Sequence, residues 1–254
     1  MAAAPALSIV IPVLNEAQGI AHCLLALAPL RARGAQVIVV DGGSADDTVE
    51  QARQTLQTTA HGAAEAAVAD SGHATHADAF LAWQVISSPP GRAAQMNTGA
   101  QQASGATLLF LHADTHLPPA ADTLVTRALN RGTHHWGRFD VHIAGQHGML
   151  RVIAALMNRR SRSSGIATGD QAMFMTRAAF DKVGGFPAQP LMEDIEMSKR
   201  LLRLSRPACL RQRVVTSGRR WETRGVWRTV LLMWRLRFAY WRGASPERLA
   251  ELYR

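Results

Sequence analysis

The sequence has few of the features that mark secreted, disulfide-bonded or membrane-spanning proteins. Only two of its 254 residues are cysteines, Cys23 and Cys209, which excludes a disulfide framework and favours free thiols in a reducing compartment. It has no run of about 18 apolar residues, so no spanning helix is predicted. The apolar start has no basic segment, and we interpret it as part of a first strand, not as a signal peptide. We therefore expect a cytoplasmic protein.

Acidic residues are scarce in the C-terminal quarter. Residues 199–254 hold 15 Lys/Arg and 3 Asp/Glu, whereas residues 1–198 hold 13 and 16. The overall composition, 47% hydrophobic and 19% charged, excludes a wholly disordered chain and predicts one large domain, or a domain with an appendage. The basic quarter suits nucleic acid, anionic lipid or a phosphorylated ligand, and a solvated arginine-rich face is the alternative.

Short apolar runs alternate with helical patterns along most of the chain. The predicted strands are residues 8–12, 36–40, 84–87, 107–111, 139–143 and 172–176. The predicted helices are residues 16–28 (with Asn15 as N-cap), 46–56, 91–103, 148–158 and 192–204. This alternation predicts an α/β fold with a Rossmann-like, mostly parallel central sheet flanked by helices.

One segment interrupts this alternation. Residues 58–82 are rich in Ala, His and Gly, and we predict a low-complexity insertion on the surface. Its histidines, His61, His73 and His76, fit a solvated loop better than a metal site. We therefore divide the chain into a domain over residues 1–204 and a basic, Trp/Arg-rich, mainly helical extension over residues 205–254.

Two carboxylates follow predicted strands at positions where α/β proteins bind ligands. Asp41 ends the second strand and Asp114 closely follows the fourth. Because ligands bind at the carboxyl ends of strands in open α/β sheets, this placement indicates a divalent cation that holds a diphosphate. A single aspartate there is often a helix N-cap, but two at separate strand ends favour a site.

The order of the motifs resembles the family 2 glycosyltransferases of the GT-A fold. The similar segments are residues 11–16 (IPVLNE), 39–48 (VVDGGSADDT), 91–99 (GRAAQMNTG), 112–114 (HAD, in place of the family's DxD) and 174–194. Each motif alone is weak, but five in order cover roughly residues 7–204 apart from the insertion. Further segments resemble an uncharacterised subgroup called the radical-SAM/selenodomain-associated transferase 2 group, which implies no substrate.

The resemblance implies a metal-dependent, inverting transfer from a nucleotide-sugar, UDP-linked donor to an acceptor hydroxyl. The residues that would contact the donor nucleotide are Pro12, Asn15, Glu16, Asp41, Arg92 and His112. Asp114 would bind the Mn²⁺ or Mg²⁺ ion that bridges the diphosphate. His112 replaces the first aspartate of the motif, and it would either ligate the cation or lie near the sugar or base.

The acceptor side is implied in the same way. Asp194 would be the general base, with Glu193 beside it on the acceptor or sugar side; one of these two carboxylates could pair with a cation while the other stays free to accept a proton. The alternative for both is simple complementation of the helix dipole, worth about 0.3–1 kcal/mol each. Asp170 would contact the acceptor or sugar, or else form a Gly-Asp turn. Arg220 would contact the diphosphate, or else lie on the surface.

Residues 225–242 combine apolar and basic positions at helical spacing. The apolar positions are Trp227, Val230, Leu231, Trp234, Phe238 and Trp241. Arg228, Arg235 and Arg242 share another face. This pattern suits a helix on an anionic membrane, at the inner face of the cell membrane, or packing on the domain or on a second copy in an oligomer. We favour packing, on the domain or on a second copy.

Other classes of protein are less well supported by the sequence. The altered DxD motif leaves a second interpretation open, which is a non-catalytic relative that binds a sugar nucleotide. We find no reading motif for nucleic acid, so no nucleic-acid partner is expected. A nucleotidyltransferase would need a glycine-rich loop after the first strand, where this chain has Pro-Val-Leu-Asn-Glu.

Overall fold

The computed structural model describes residues 5–71 and 83–253, and within these ranges the chain forms one eight-stranded sheet flanked by helices. The strands are β1 (Leu7–Val13), β2 (Gln36–Asp41), β3 (Trp83–Ser87), β4 (Thr107–Phe110), β5 (Thr115–His116), β6 (Trp136–Ala144), β7 (Phe174–Thr176) and β8 (Ala208–Ser217). The helices are α1 (Ala17–Ala26), α2 (Ala28–Ala32), α3 (Thr48–Ser71), α4 (Arg92–Gln102), α5 (Ala121–Asn130), α6 (Met149–Ser164), α7 (Arg177–Lys182), α8 (Glu193–Leu202), α9 (Arg219–Arg224), α10 (Val226–Trp241) and α11 (Pro246–Tyr253).

The sheet combines a parallel part with a mixed part. Its strand order is β3-β2-β1-β4-β7-β6-β8-β5, and the first four strands are parallel neighbours. β7 is antiparallel to both β4 and β6, β8 is parallel to β6, and the short β5 is antiparallel to β8 at the edge. The predicted α/β fold with a mostly parallel sheet is confirmed.

The central strands are apolar on both faces because helices cover the sheet on both sides. Ile9 and Ile11 of β1 pack into one buried cluster, whereas Val10 between them packs into the cluster on the other face. Gly99 lets α4 lie close to the sheet, since a Cβ at that position would collide with the side chains of Val10 and Val40. This close packing places the C-terminal ends of β1 and β2 beside the start of α4.

The structure corrects three boundaries predicted from the sequence. α3 runs to Ser71, so helix continues past the predicted end at residue 56 and through part of the 58–82 segment, whose residues 72–82 lie outside the described residues. α1 begins at Ala17 with Glu16 as N-cap, so Asn15 is not the cap. β8 was not predicted, and it belongs to the central sheet although it lies within residues 205–254. The helical part of that extension therefore starts at Arg219.

The last helices fold back toward the sheet. Leu236 of α10 packs with Met192 and Ile195 at the start of α8 and with Leu249 of α11. The tryptophan-bearing face of α10 points the other way, because Trp234 is 69% exposed and Trp241 is 77% exposed. That face therefore does not pack on the domain, and its packing on a second copy stays a prediction. Within residues 5–71 and 83–253, no helix combines the length and the apolar character that a bilayer span requires.

Candidate active site

A cavity of about 440 Å³ opens at the C-terminal ends of β1, β4 and β8, and the start of α8 and helices α9–α11 form its other walls. Nine of the eleven side chains predicted from the sequence line it: Pro12, Glu16, Arg92, His112, Asp114, Asp170, Glu193, Asp194 and Arg220. The two that do not line it are Asn15 and Asp41. The fold therefore brings residues more than 200 positions apart in sequence into one charged cavity.

Asn15 has a structural role in the loop after β1. It adopts a left-handed backbone conformation, its backbone N–H donates to Ser44 Oγ (2.9 Å), and its Oδ1 accepts from the Ala45 N–H (2.8 Å). The next residue, Glu16, donates its N–H to Thr48 Oγ1 at 2.8 Å. These bonds join the loop after β1 to the loop after β2 and leave Asn15 outside the cavity lining.

Asp41 is buried at the end of β2 and shapes the glycine-containing turn that follows. Its carboxylate accepts from the N–H groups of Gly43 (3.0 Å) and Ser44 (3.1 Å). A carboxylate that accepts from successive backbone donors fixes a tight turn. Asp41 and Asn15 thus hold the two loops beside the cavity in place.

His112 and Asp170 face each other across the cavity floor. His112 Nδ1 lies 3.4 Å from Asp170 Oδ1. The ring edge that carries Nε2 packs on Gly169, where any Cβ would collide with the ring, and Nε2 has no hydrogen-bond partner among the described residues. Burial opposes ionisation of Asp170, but the His112 contact, Arg92 and Arg220 outweigh it and lower the pKa of this carboxyl. Of the two ring nitrogens, Nδ1 therefore faces Asp170, and Nε2 is buried against Gly169.

Asp114 and Glu16 form the acidic corner of the cavity. Burial and the nearby Asp114 charge raise the pKa of Glu16, while Arg219, at 3.9 Å from Glu16, opposes this rise. Within the described ranges, no group of three or more His, Cys, Asp or Glu side chains is arranged to hold a metal ion. Mg²⁺ and similar ions are often bound by one or two carboxylates together with substrate phosphates. The lining fits a cation held in that way, for which Asp114 would be the protein ligand.

Glu193 and Asp194 occupy the first turn of α8 and have different surroundings. Glu193 is 4% exposed, and burial followed by the neighbouring Asp194 charge raises its pKa, while Arg92, 3.8 Å away, opposes this effect. Asp194 Oδ2 accepts from the Gly169 N–H (3.0 Å), and Oδ1 accepts from the Ile195 N–H (2.7 Å). The two backbone donors orient the Asp194 carboxylate at the cavity wall.

Of the cations that the C-terminal segment brings to the cavity, Arg220 was predicted from the sequence, whereas Arg219 and Arg237 were not. The Ser217 N–H at the end of β8 donates to the Asp114 carbonyl (3.1 Å), which places the following Arg219 and Arg220 over the acidic corner. Arg237, on the inner face of α10, also lines the cavity. Burial lowers the pKa of Arg237, while the charges of Asp194 and Asp170 oppose this shift. The excess of arginine in residues 199–254 was the signal for this wall.

The N-terminal part of the chain matches a known family. The family model described as Glycosyl transferase family 2 matches residues 8–65, from β1 into α3. A glycosyltransferase named AglE from Haloferax volcanii is 36% identical over 112 residues, which cover 43% of this chain and 31% of that protein. The match thus spans about a third of the curated relative. These comparisons support a family 2 glycosyltransferase.

Solved structures share the fold over most of the chain. They include S. aureus TarS 1-349 in complex with UDP (TM-score 0.62, 16% identity, 83% of this chain and 60% of that one). A second is the mannosyltransferase PcManGT from Pyrobaculum calidifontis in complex with GDP-Man and Mn²⁺ (TM-score 0.64, 20% identity, 93% and 61%). At these identities the likeness establishes the fold, which is an α/β fold of the GT-A type.

Proposed function

We propose that this protein transfers a sugar from a nucleotide-sugar donor to an acceptor hydroxyl, with inversion at the anomeric carbon and with a divalent cation. The observation that carries the proposal is the convergence of Asp114, Asp194 and several arginines on one cavity at the strand ends. Anionic and cationic side chains in one cavity suit a substrate that carries both a diphosphate and hydroxyl groups. The family match and the nucleotide-bound structural relatives support the same class of donor.

The donor would lie between the loop after β1 and the acidic corner. Pro12 and Glu16 would contact the nucleotide, and Asn15 and Asp41 would act indirectly by fixing the loops that flank it. Mn²⁺ or Mg²⁺, when held by Asp114, would offset the negative charge of the leaving diphosphate. Arg219 and Arg220 would contribute further positive charge from the opposite wall, where charge-assisted hydrogen bonds to phosphate are strong.

The acceptor would enter from the side of α8 and α10. The Asp194 carboxylate would take the proton of the acceptor hydroxyl as that oxygen attacks the anomeric carbon. The bond from the anomeric carbon to the diphosphate oxygen breaks at the same time, and the nucleoside diphosphate leaves from the opposite face of the sugar. Asp170, held by His112, would contact the sugar or the acceptor, and Glu193 would remain paired with Arg92.

A thermal-shift assay tests the donor class before any acceptor is known. The protein is melted with UDP, GDP and several UDP-sugars, each with and without Mn²⁺ or Mg²⁺. A ligand at 100 times its dissociation constant adds about 2.7 kcal/mol, which corresponds to about 5–10 °C in Tm for a protein of this size. We expect such a shift with one nucleotide and a cation. If no combination shifts the Tm, the protein would be assigned a non-catalytic role instead.

A matched pair of variants isolates the role of Asp114. Asp114→Asn should lose the cation-dependent part of the shift, because an amide oxygen attracts Mn²⁺ or Mg²⁺ less than a carboxylate does. Asp181→Asn changes an exposed aspartate outside the cavity lining and should retain the full shift. Equal shifts in the two variants would remove Asp114 from the cation site.

A further inference from the structure

The outer face of α10 carries a continuous apolar stripe. The stripe consists of Trp227, Leu231, Trp234, Phe238 and Trp241, each of which is 60–77% exposed. Their spacing alternates between four and three residues, so they lie on one line along the helix, about 21 Å long at 1.5 Å per residue. The exposed area is on the order of 600 Å², at the upper end of what monomeric proteins leave in water. A patch of this size marks an interaction site.

The charges beside the apolar stripe all have the same sign. Arg228, Arg235 and Arg242 are exposed along one flank of it. The sixteen residues of α10 include no Asp or Glu, and the residues around them add further arginines on α9 and α11. The acidic side chains on those neighbouring helices are Glu222, Glu247 and Glu251. The partner that complements such a face is a flat, anionic and partly apolar surface.

A second copy of the chain fits this face less well. The alternating spacing would allow two α10 helices to pair along their apolar stripes, as in a coiled coil. In an antiparallel pair the arginines that border the stripe would meet the same arginines of the other copy, and in either orientation the helix offers no carboxylate to pair with them. Like charges at these positions oppose association. Lipid phosphates, in contrast, would accept hydrogen bonds from every one of these guanidinium groups.

We propose that the outer face of α10 is a docking site for the surface of an anionic lipid bilayer. Trp227, Trp234 and Trp241 would sit at the level of the headgroups, where amphipathic indole rings are favoured. Arg228, Arg235 and Arg242 would contact lipid phosphates at the same depth. The helix would lie in the plane of the interface and would not cross the membrane.

This docking would also orient the cavity. The inner face of α10 contributes Met233 and Arg237 to the cavity wall, so one helix diameter, about 10 Å, would separate the cavity from the bilayer. An acceptor anchored in the same bilayer would then have a short path to Asp194. This last step rests on the proposed function, whereas the docking itself does not.

Vesicle flotation tests the docking without any assay of activity. The full chain is mixed with vesicles of phosphatidylcholine alone, or of phosphatidylcholine with phosphatidylglycerol, at low and at high salt. We expect flotation with the anionic vesicles, weaker flotation at high salt because screening shortens the reach of the arginine charges, and little flotation with neutral vesicles. Absence of flotation with anionic vesicles at low salt would overturn the proposal.

Two triple variants with matched controls assign the binding to this face. The first variant changes Arg228, Arg235 and Arg242 together to Gln. It should weaken partitioning of the protein onto anionic vesicles about 100-fold, at roughly fivefold per arginine. The same change at Arg53, Arg127 and Arg131, which are exposed elsewhere, should have little effect. Trp227, Trp234 and Trp241 changed together to Ala should weaken it at least about tenfold, whereas Val152→Ala with Leu156→Ala, at exposed positions of α6, should not.

Folding and association are measured on the same samples. Circular dichroism should show each variant folded, because the changed side chains are exposed and support no core contact. Light scattering should show the same oligomeric state for the parent and for the tryptophan variant. A dimer that dissociates when the tryptophans are removed would overturn the proposal and identify the face as an interface between copies.

Discussion

The two walls of the cavity are built in different ways. The wall at the ends of β1 and β4 comes from consecutive βαβ units. The loops beside it, which follow β1 and β2, are fixed by hydrogen bonds from the Asn15 N–H to Ser44 Oγ and from the Gly43 N–H to the Asp41 carboxylate. The opposite wall combines the start of α8 with α9–α11, which are joined to it by a small apolar cluster around Leu236. The first wall is held by the fold itself, whereas the second depends on how the C-terminal helices pack.

The difference between the two walls separates residues that position the loops from residues that would take part in the transfer step. Beside the first wall, the buried carboxylate of Asp41 accepts hydrogen bonds from backbone donors of its own turn. In the second wall Asp194, Glu193 and Arg237 are charged groups whose neighbours come from distant parts of the chain. We therefore expect changes in the second wall to affect the transfer step most, and changes in the first wall to affect nucleotide binding.

Among the variants that test this contrast between the walls, Asp194→Asn should have the largest effect on the rate of transfer. An amide cannot take the acceptor proton, and general-base catalysis contributes about 10²–10⁴ in rate. The turnover number should fall by about that factor, while the nucleotide-induced Tm shift stays at its parent value. A transfer rate near that of the parent protein would exclude Asp194 as the base.

An intermediate effect is expected for Arg237→Met, which preserves much of the side-chain volume. The change removes a partly desolvated cation that faces Asp194 and Asp170 across the second wall. A hydrogen bond from the Arg237 guanidinium to a bound substrate would contribute about 1.5–3 kcal/mol, so the turnover number divided by KM should fall about 10- to 100-fold. Arg151→Met, at an exposed position of α6, is the control and should stay near the parent value. Loss of nucleotide binding with unchanged turnover would instead assign Arg237 to the donor.

The same contrast explains what the sequence could predict. The first wall was predictable because strands buried on both faces give clear apolar runs, and the polar residues that follow them sit at the strand ends. β8 was missed because the exposed run Arg211-Gln212-Arg213 interrupts its apolar pattern. The sequence did not determine the orientation of α10 because both of its faces carry apolar residues, and the narrower face, with Val226 and Leu236, is the one that packs on the domain. Periodicity locates such a helix but does not determine which face is buried.

The smallest expected effect concerns stability and pH in the second wall. Burial and the Asp194 charge raise the pKa of Glu193 above its ordinary value of 4.5. The stability that the protonated group contributes is complete below that ordinary value and is lost as the pH rises through the raised folded-state pKa. Glu193→Gln removes this dependence, so the variant should melt above the parent at pH 7.5, by about 2–4 °C for each kcal/mol, and close to it at pH 4. A variant that melts below the parent at pH 7.5 would mean that the ion pair between Glu193 and Arg92 stabilises the fold by more than the burial of the Glu193 charge destabilises it. The charges of the second wall would then stabilise it as firmly as hydrogen bonds stabilise the first wall.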